Sequence, residues 1–94
     1  MDFRISADLE NTRRRIAAFV EERLLPLEAD KASYDDHENI ALDVLGRERA
    51  AAREAGLWCL QMPRELGGGG LGKAGMAVCY EEMNRSIFGP VVFN

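Results

Sequence analysis

Residues 62–75, Met-Pro-Arg-Glu-Leu-Gly-Gly-Gly-Gly-Leu-Gly-Lys-Ala-Gly, constrain this chain more than any other stretch, because they hold six of its nine glycines between two helical patterns. Glycine in such density interrupts a helix and permits tight reversal through positive φ. The stretch also matches two nucleotide-binding spacings. Gly67, four residues, Gly72 and Lys73 fit the front of a phosphate-binding P-loop. Gly67-x-Gly69-x-x-Gly72 and Gly70-x-Gly72-x-x-Gly75 fit a dinucleotide fingerprint. Both readings meet chemical objections. Ala74 stands where a P-loop needs a hydroxyl for magnesium, and Pro63 interrupts any strand leading in. The dinucleotide motif works only as a strand-to-helix turn in a parallel sheet, and this chain shows essentially no strand pattern. A structural turn carried by Gly67, Gly68, Gly70 and Gly72 is the expectation, with no cofactor-binding residue among them and Lys73 in the exposed first turn of a helix.

Around that turn the chain reads as helices. Ser6 or Asp8 can cap a first helix ending near Glu28, with Leu9, Ile16, Phe19, Val20, Leu24 and Leu27 forming one apolar stripe. Pro26 removes a backbone donor near its end, which predicts a kink or a frayed last turn. Arg13, Arg14 and Arg15 fan around about half the helix circumference and read as a solvated face. Residues 29–38 are polar and read as a loop. His37, the only histidine, lies beside Asp35, Asp36 and Glu38, but one imidazole with unspaced carboxylates is a poor ligand set, so no metal site is assigned.

A second helix is expected from about Ile40 to Ala55, with Ile40, Val44, Ala51 and Ala55 on one side and Leu45 and Ala52 adjoining. Gly56 is placed to end it in the left-handed conformation. Leu57 to Met62 reads as a buried extended connector. A third helix begins near Lys73–Met76 and puts Met76, Tyr80, Met83 and Ile87 on one face, with Glu81, Glu82 and Arg85 turned away. The final nine residues, Ser86–Asn94, are largely apolar where a free terminus is usually polar. They read as truncated inside a longer protein and in need of a partner surface.

Bulk properties narrow the function. Ninety-four residues suit one small domain. A net charge of −4 argues against nucleic acid as a partner. No apolar run approaches the ~20 residues that span a bilayer. Cys59 and Cys79 lack CxxC spacing and read as two buried reduced thiols in a cytoplasmic protein, with a disulfide between them as the alternative.

Taken in order, a charged helix ending in Leu-Pro-Leu, the run Glu54-Ala55-Gly56-Leu57-Trp58, the glycine stretch after Met62-Pro63, and the helix containing Tyr80-Glu81-Glu82-Met83 form a pattern. It resembles the N-terminal helical domain of acyl-CoA dehydrogenases over about residues 5–94. That family commonly reads Gly-Leu, a few apolar residues, Pro-Glu-x-aromatic-Gly-Gly-x-Gly, then a helix with Glu-Glu-Leu or Glu-Glu-Met. Arg64, Leu66 and Gly69 depart from it, as does the Arg85–Pro90 segment. The resemblance implies an all-α small bundle of three main helices plus the start of a fourth, occupying residues 1–94. It implies a homo-oligomeric parent flavoenzyme that uses FAD to oxidise acyl-CoA between its α and β carbons and passes electrons to a partner. The remaining domains of the same polypeptide would supply the catalytic glutamate and most FAD contacts. No residue of this chain is then catalytic, Glu81 and Glu82 included. Phe93 and Asn94 are the candidates for an acyl-pocket wall. A second reading is a stand-alone helical interaction module that binds a partner through its apolar tail.

Overall fold

A computed structural model describes residues 6–66 and 68–94, with the backbone alone at Leu66. The first helix, α1, is α-helical over Ala7–Phe19, widens into a π turn over Val20–Leu24 and closes with a last α turn over Leu25–Glu28. Ser6 caps it, its Oγ accepting the Leu9 amide at 3.1 Å, and Asp8 and Glu10 lie in the positive first turn. The kink or fraying expected at Pro26 is replaced by the π turn just ahead of it, where the Leu25 amide reaches back to the Val20 carbonyl. A widened turn relieves the clash between a proline ring and the preceding ladder without ending the helix. Ile16, Phe19, Val20 and Leu24 are buried, while Leu9 and Leu27 are half-buried at the margin of the core.

Residues 29–41 carry more local structure than their composition promised. Asp30 caps a 3₁₀ turn over Lys31–Ser33 by accepting the Ala32 amide at 3.0 Å. Tyr34 and Ile40 form a single antiparallel bridge. That bridge holds Ile40 in extended backbone, so the second helix, α2, spans Leu42–Glu54 rather than starting at Ile40. Val44, Glu48 and Ala52 form its buried line, with Leu45, Ala51 and Ala55 half-buried beside it. Gly56 ends α2 at φ +73°.

The connector from Leu57 to Met62 is a correction to the extended reading. Leu57 and Leu60 are buried, but the chain bends between them, with Cys59 in the left-handed region at φ +50°. A second 3₁₀ turn covers Arg64–Leu66, and the third helix, α3, spans Lys73–Met83. Its buried residues are Met76, Cys79 and Met83. Met76 and Met83 lie on the expected face, but Tyr80 and Ile87 are 39% and 65% exposed. Cys79, the smaller side chain, takes the inner position in the helix that packs against α1, and the chain leaves helix geometry at Asn84, so a 3.6-residue period no longer governs Ile87.

The apolar tail does not wait for a partner. A short helix, α4, over Gly89–Val92 packs against α2, and Phe88, Val92 and Phe93 are buried in the core. The Phe93 ring lies 5.2 Å from Phe19 at a tilt of 58°, and Tyr34 lies 5.4 Å from Phe88. A side chain on Gly89 would run into the Met83 carbonyl, so only glycine lets the chain fold back this closely. The fold is all-α, with three main helices and a short fourth. Among the described residues the Tyr34–Ile40 bridge is the single β-type pairing, and no helix is long and apolar enough to cross a membrane.

The glycine loop as candidate functional site

The chemistry of the glycine stretch depends on where its amide hydrogens point. A phosphate cradle needs several consecutive N–H groups aimed at a common external point. Here the Gly68 amide donates to the Pro63 carbonyl at 3.1 Å, Gly69 to Cys59 at 3.3 Å, Gly70 to Met62 at 2.8 Å, and Leu71 to Leu60 at 2.8 Å. Four successive donors are therefore turned inward onto the connector. Gly67, which begins both nucleotide spacings, lies outside the described residues.

Side-chain volume enforces the arrangement. A Cβ on Gly68 would lie 2.5 Å from Met62 Cβ and 2.6 Å from the Cys59 carbonyl oxygen. Gly70 sits at φ +71°, a conformation that L side chains rarely adopt, with Arg64 packed over it. Gly72 differs: it precedes α3 at φ −78°, and a Cβ there would meet open space. Nothing in the backbone at Gly72 requires glycine. Lys73 opens α3 as an exposed residue.

Clefts of about 330, 400 and 430 Å³ border the loop. The cleft of about 330 Å³ is bordered by Arg53, Gly56, Trp58, Gly68 and Gly69, where the Arg53 guanidinium stacks on the Trp58 ring 4.1 Å from its centroid. A flavin would need donors for its pyrophosphate and an apolar slot for its ring system. The amides of Gly68, Gly69, Gly70 and Leu71 are already committed to carbonyls, and the cationic neighbour Arg53 is laid flat on an indole. These residues do not fit a flavin.

A model of the family described as "Acyl-CoA dehydrogenase, N-terminal domain" matches residues 6–93. The chain belongs to that family. Comparison with curated proteins and with solved structures gives no match.

Within this acyl-CoA dehydrogenase N-terminal domain the other candidate residues fall in different places. Phe93 is fully buried in the core, whereas Asn94 is exposed, its Nδ2 donating to the Pro90 carbonyl at 3.0 Å. His37 is exposed, and Asp35 Oδ1 beside it accepts the His37 and Asn39 amides at 2.8 and 3.0 Å, committing that oxygen to a turn. Among the described residues no three His, Cys, Asp or Glu side chains gather as a metal site would require. Both cysteines are free, with Cys79 buried and Cys59 half-buried rather than fully enclosed. Burial raises the Cys79 thiol above its ordinary pKa.

Two ionic arrangements escaped sequence reasoning. Glu82, expected to face away from the core, is half-buried and accepts Arg13 Nη1 at 2.8 Å, tying α3 to α1. Arg13 also chelates Glu10 with Nε at 2.9 Å and Nη2 at 2.5 Å, so Arg13 is a bridge rather than part of a solvated face. Its guanidinium holds the Glu10 carboxyl down to about 2, and the two carboxylates raise the Arg13 pKa in return. Glu48 is 3% exposed in α2 and receives Arg23 Nε at 2.7 Å and Nη2 at 3.2 Å from the π turn of α1. The only sequence signal for either pair was opposite charge on two separate helices, which names no register.

Proposed function

We propose that this chain is the N-terminal scaffold of an FAD-dependent acyl-CoA dehydrogenase, a contributor to the enzyme's architecture that performs no catalysis alone. The observation that carries the reading is the family match across residues 6–93. It is supported by the commitment of the loop amides and of the Glu82 and Glu48 carboxylates to internal partners. On this reading the remaining domains of the same polypeptide hold FAD and the catalytic base. The parent enzyme is a homo-oligomer that takes acyl-CoA thioesters and passes electrons to a redox partner. Residues 93–94 form one wall of the acyl pocket, with Asn94 at the surface and buried Phe93 fixing its position. Two free cysteines agree with a reducing compartment such as the cytoplasm.

The test is direct. The purified chain is mixed with FAD and an acyl-CoA, and flavin retention after gel filtration and thioester oxidation are measured. Neither is expected. Retained flavin with turnover by these 94 residues would place the chemistry in this domain and overturn the reading.

A further inference from the structure

We propose that Cys59 is a positioning residue: through its backbone, the glycine loop sets the place of the Phe93–Asn94 segment. Cys59 is one of two non-glycine residues with positive φ among those described, at +50°. Its amide donates to the Phe93 carbonyl at 2.7 Å, while its own carbonyl accepts the Met62 amide at 3.1 Å and the Gly69 amide at 3.3 Å. One residue thus joins the connector, the loop and the final segment. A left-handed conformation in a residue with a Cβ persists only where its surroundings over-determine it. Here three backbone bonds do so, because rotating Cys59 to the right-handed region turns a flanking peptide away from its partner. The thiol takes no part in these bonds. Displacement of the loop is therefore passed to Phe93 through one peptide pair, whereas α1 meets Phe93 through the Phe19 ring. The purpose given to residues 93–94 rests on the pocket-wall reading above; the coupling rests on the hydrogen bonds alone.

Amide exchange and carbonyl chemical shifts of the whole 94-residue chain test the coupling. Gly70→Ala places a side chain at φ +71° against Arg64 and strains the loop. Exchange of the Cys59 amide should accelerate roughly tenfold and the Phe93 carbonyl resonance should move, with the Val20 amide in α1 unchanged. Gly70→Asn, which tolerates the left-handed region, should restore both, and Gly72→Ala should disturb neither. In a second arm Cys59→Gly should preserve the Gly69 and Phe93 signals, whereas Cys59→Val should shift both together. Wild-type exchange at Cys59 in Gly70→Ala overturns the coupling. So does equal acceleration at Val20, which is general destabilisation, or a Cys59→Val effect confined to one side. No substrate is present, so the pocket-wall reading can fail while this coupling stands.

Discussion

Replacing Phe93 by alanine tests whether the apolar tail completes the core of this domain. Phe93 is wholly buried, with its ring 5.2 Å from Phe19 and tilted 58°, within the usual range for a favourable aromatic pair. Truncating a buried phenylalanine costs about 3–5 kcal/mol through lost transfer free energy and the cavity left behind. The short α4 can partly close that space, so the lower end, about 3 kcal/mol, is expected. For a domain of this size each kcal/mol lowers Tm by roughly 4–8 °C, which makes the expected fall about 12–24 °C. Urea unfolding followed by far-UV circular dichroism and by Trp58 fluorescence gives the free energy independently. Val91→Ala is the internal control: the same turn, but a side chain 39% exposed, and an expected loss of about 0.5 kcal/mol or less. If Phe93→Ala costs under about 1 kcal/mol, or no more than Val91→Ala, the tail does not pack in solution as described. The interaction-module reading would then regain its apolar surface.

Three further perturbations separate the forces in the fold. Arg23→Ala should cost about 1–3 kcal/mol in urea unfolding, kept below the value for a fully buried pair because Arg23 is 42% exposed and Arg47 remains 3.5 Å from Glu48. Adding Glu48→Ala should recover part of that loss, and simple additivity of the two substitutions would refute the pairing. Gly56→Ala should cost about 1 kcal/mol from its φ of +73° alone, whereas Gly72→Ala should stay within about 0.5 kcal/mol, both measured by thermal unfolding. Glu10 has a folded-state pKa of about 2 against an ordinary 4.5, so its stabilisation is complete above 4.5 and lost as pH falls toward 2. Tm measured across that window should fall less steeply in Glu10→Gln than in the unaltered chain.

The helices were legible because their apolar spacing follows from geometry that each helix carries within itself. Ile16, Phe19 and Leu24 are buried whatever α1 packs against, since only one stripe can face inward. What escaped depended on partners distant in sequence. Glu48 reads as a surface residue until Arg23, twenty-five positions earlier, is known to reach it. Tyr80 and Cys79 are adjacent, and a rotation of about one residue exchanges them, so the choice is made by α1 rather than by α3. The connector looked extended because Leu57–Met62 is apolar and short. Its bend comes from the Phe93 carbonyl and the Met62 and Gly69 amides, which all bond to Cys59 from later positions in the sequence. The family motif was readable for the same reason as the turn: glycine at positions 68 and 70 answers a local demand of space and φ.

That local demand also decides the nucleotide question. A glycine run matches a phosphate motif by spacing, but spacing says nothing about which way the amides face. In this loop the donors of Gly68, Gly69, Gly70 and Leu71 already have carbonyl partners. A net contribution of about 0.5–1.5 kcal/mol for each hydrogen bond sets the cost of turning all four outward at about 2–6 kcal/mol, before the lost packing of Leu60 and Leu71 is counted. A phosphate would have to supply that free energy beyond its ordinary binding, with Ala74 offering no hydroxyl for magnesium. The same four bonds that close the loop against the connector are the reason it is a poor anion site. If a nucleotide nevertheless raised Tm, and Lys73→Ala abolished the rise, the reading of this stretch as a purely structural turn would be overturned.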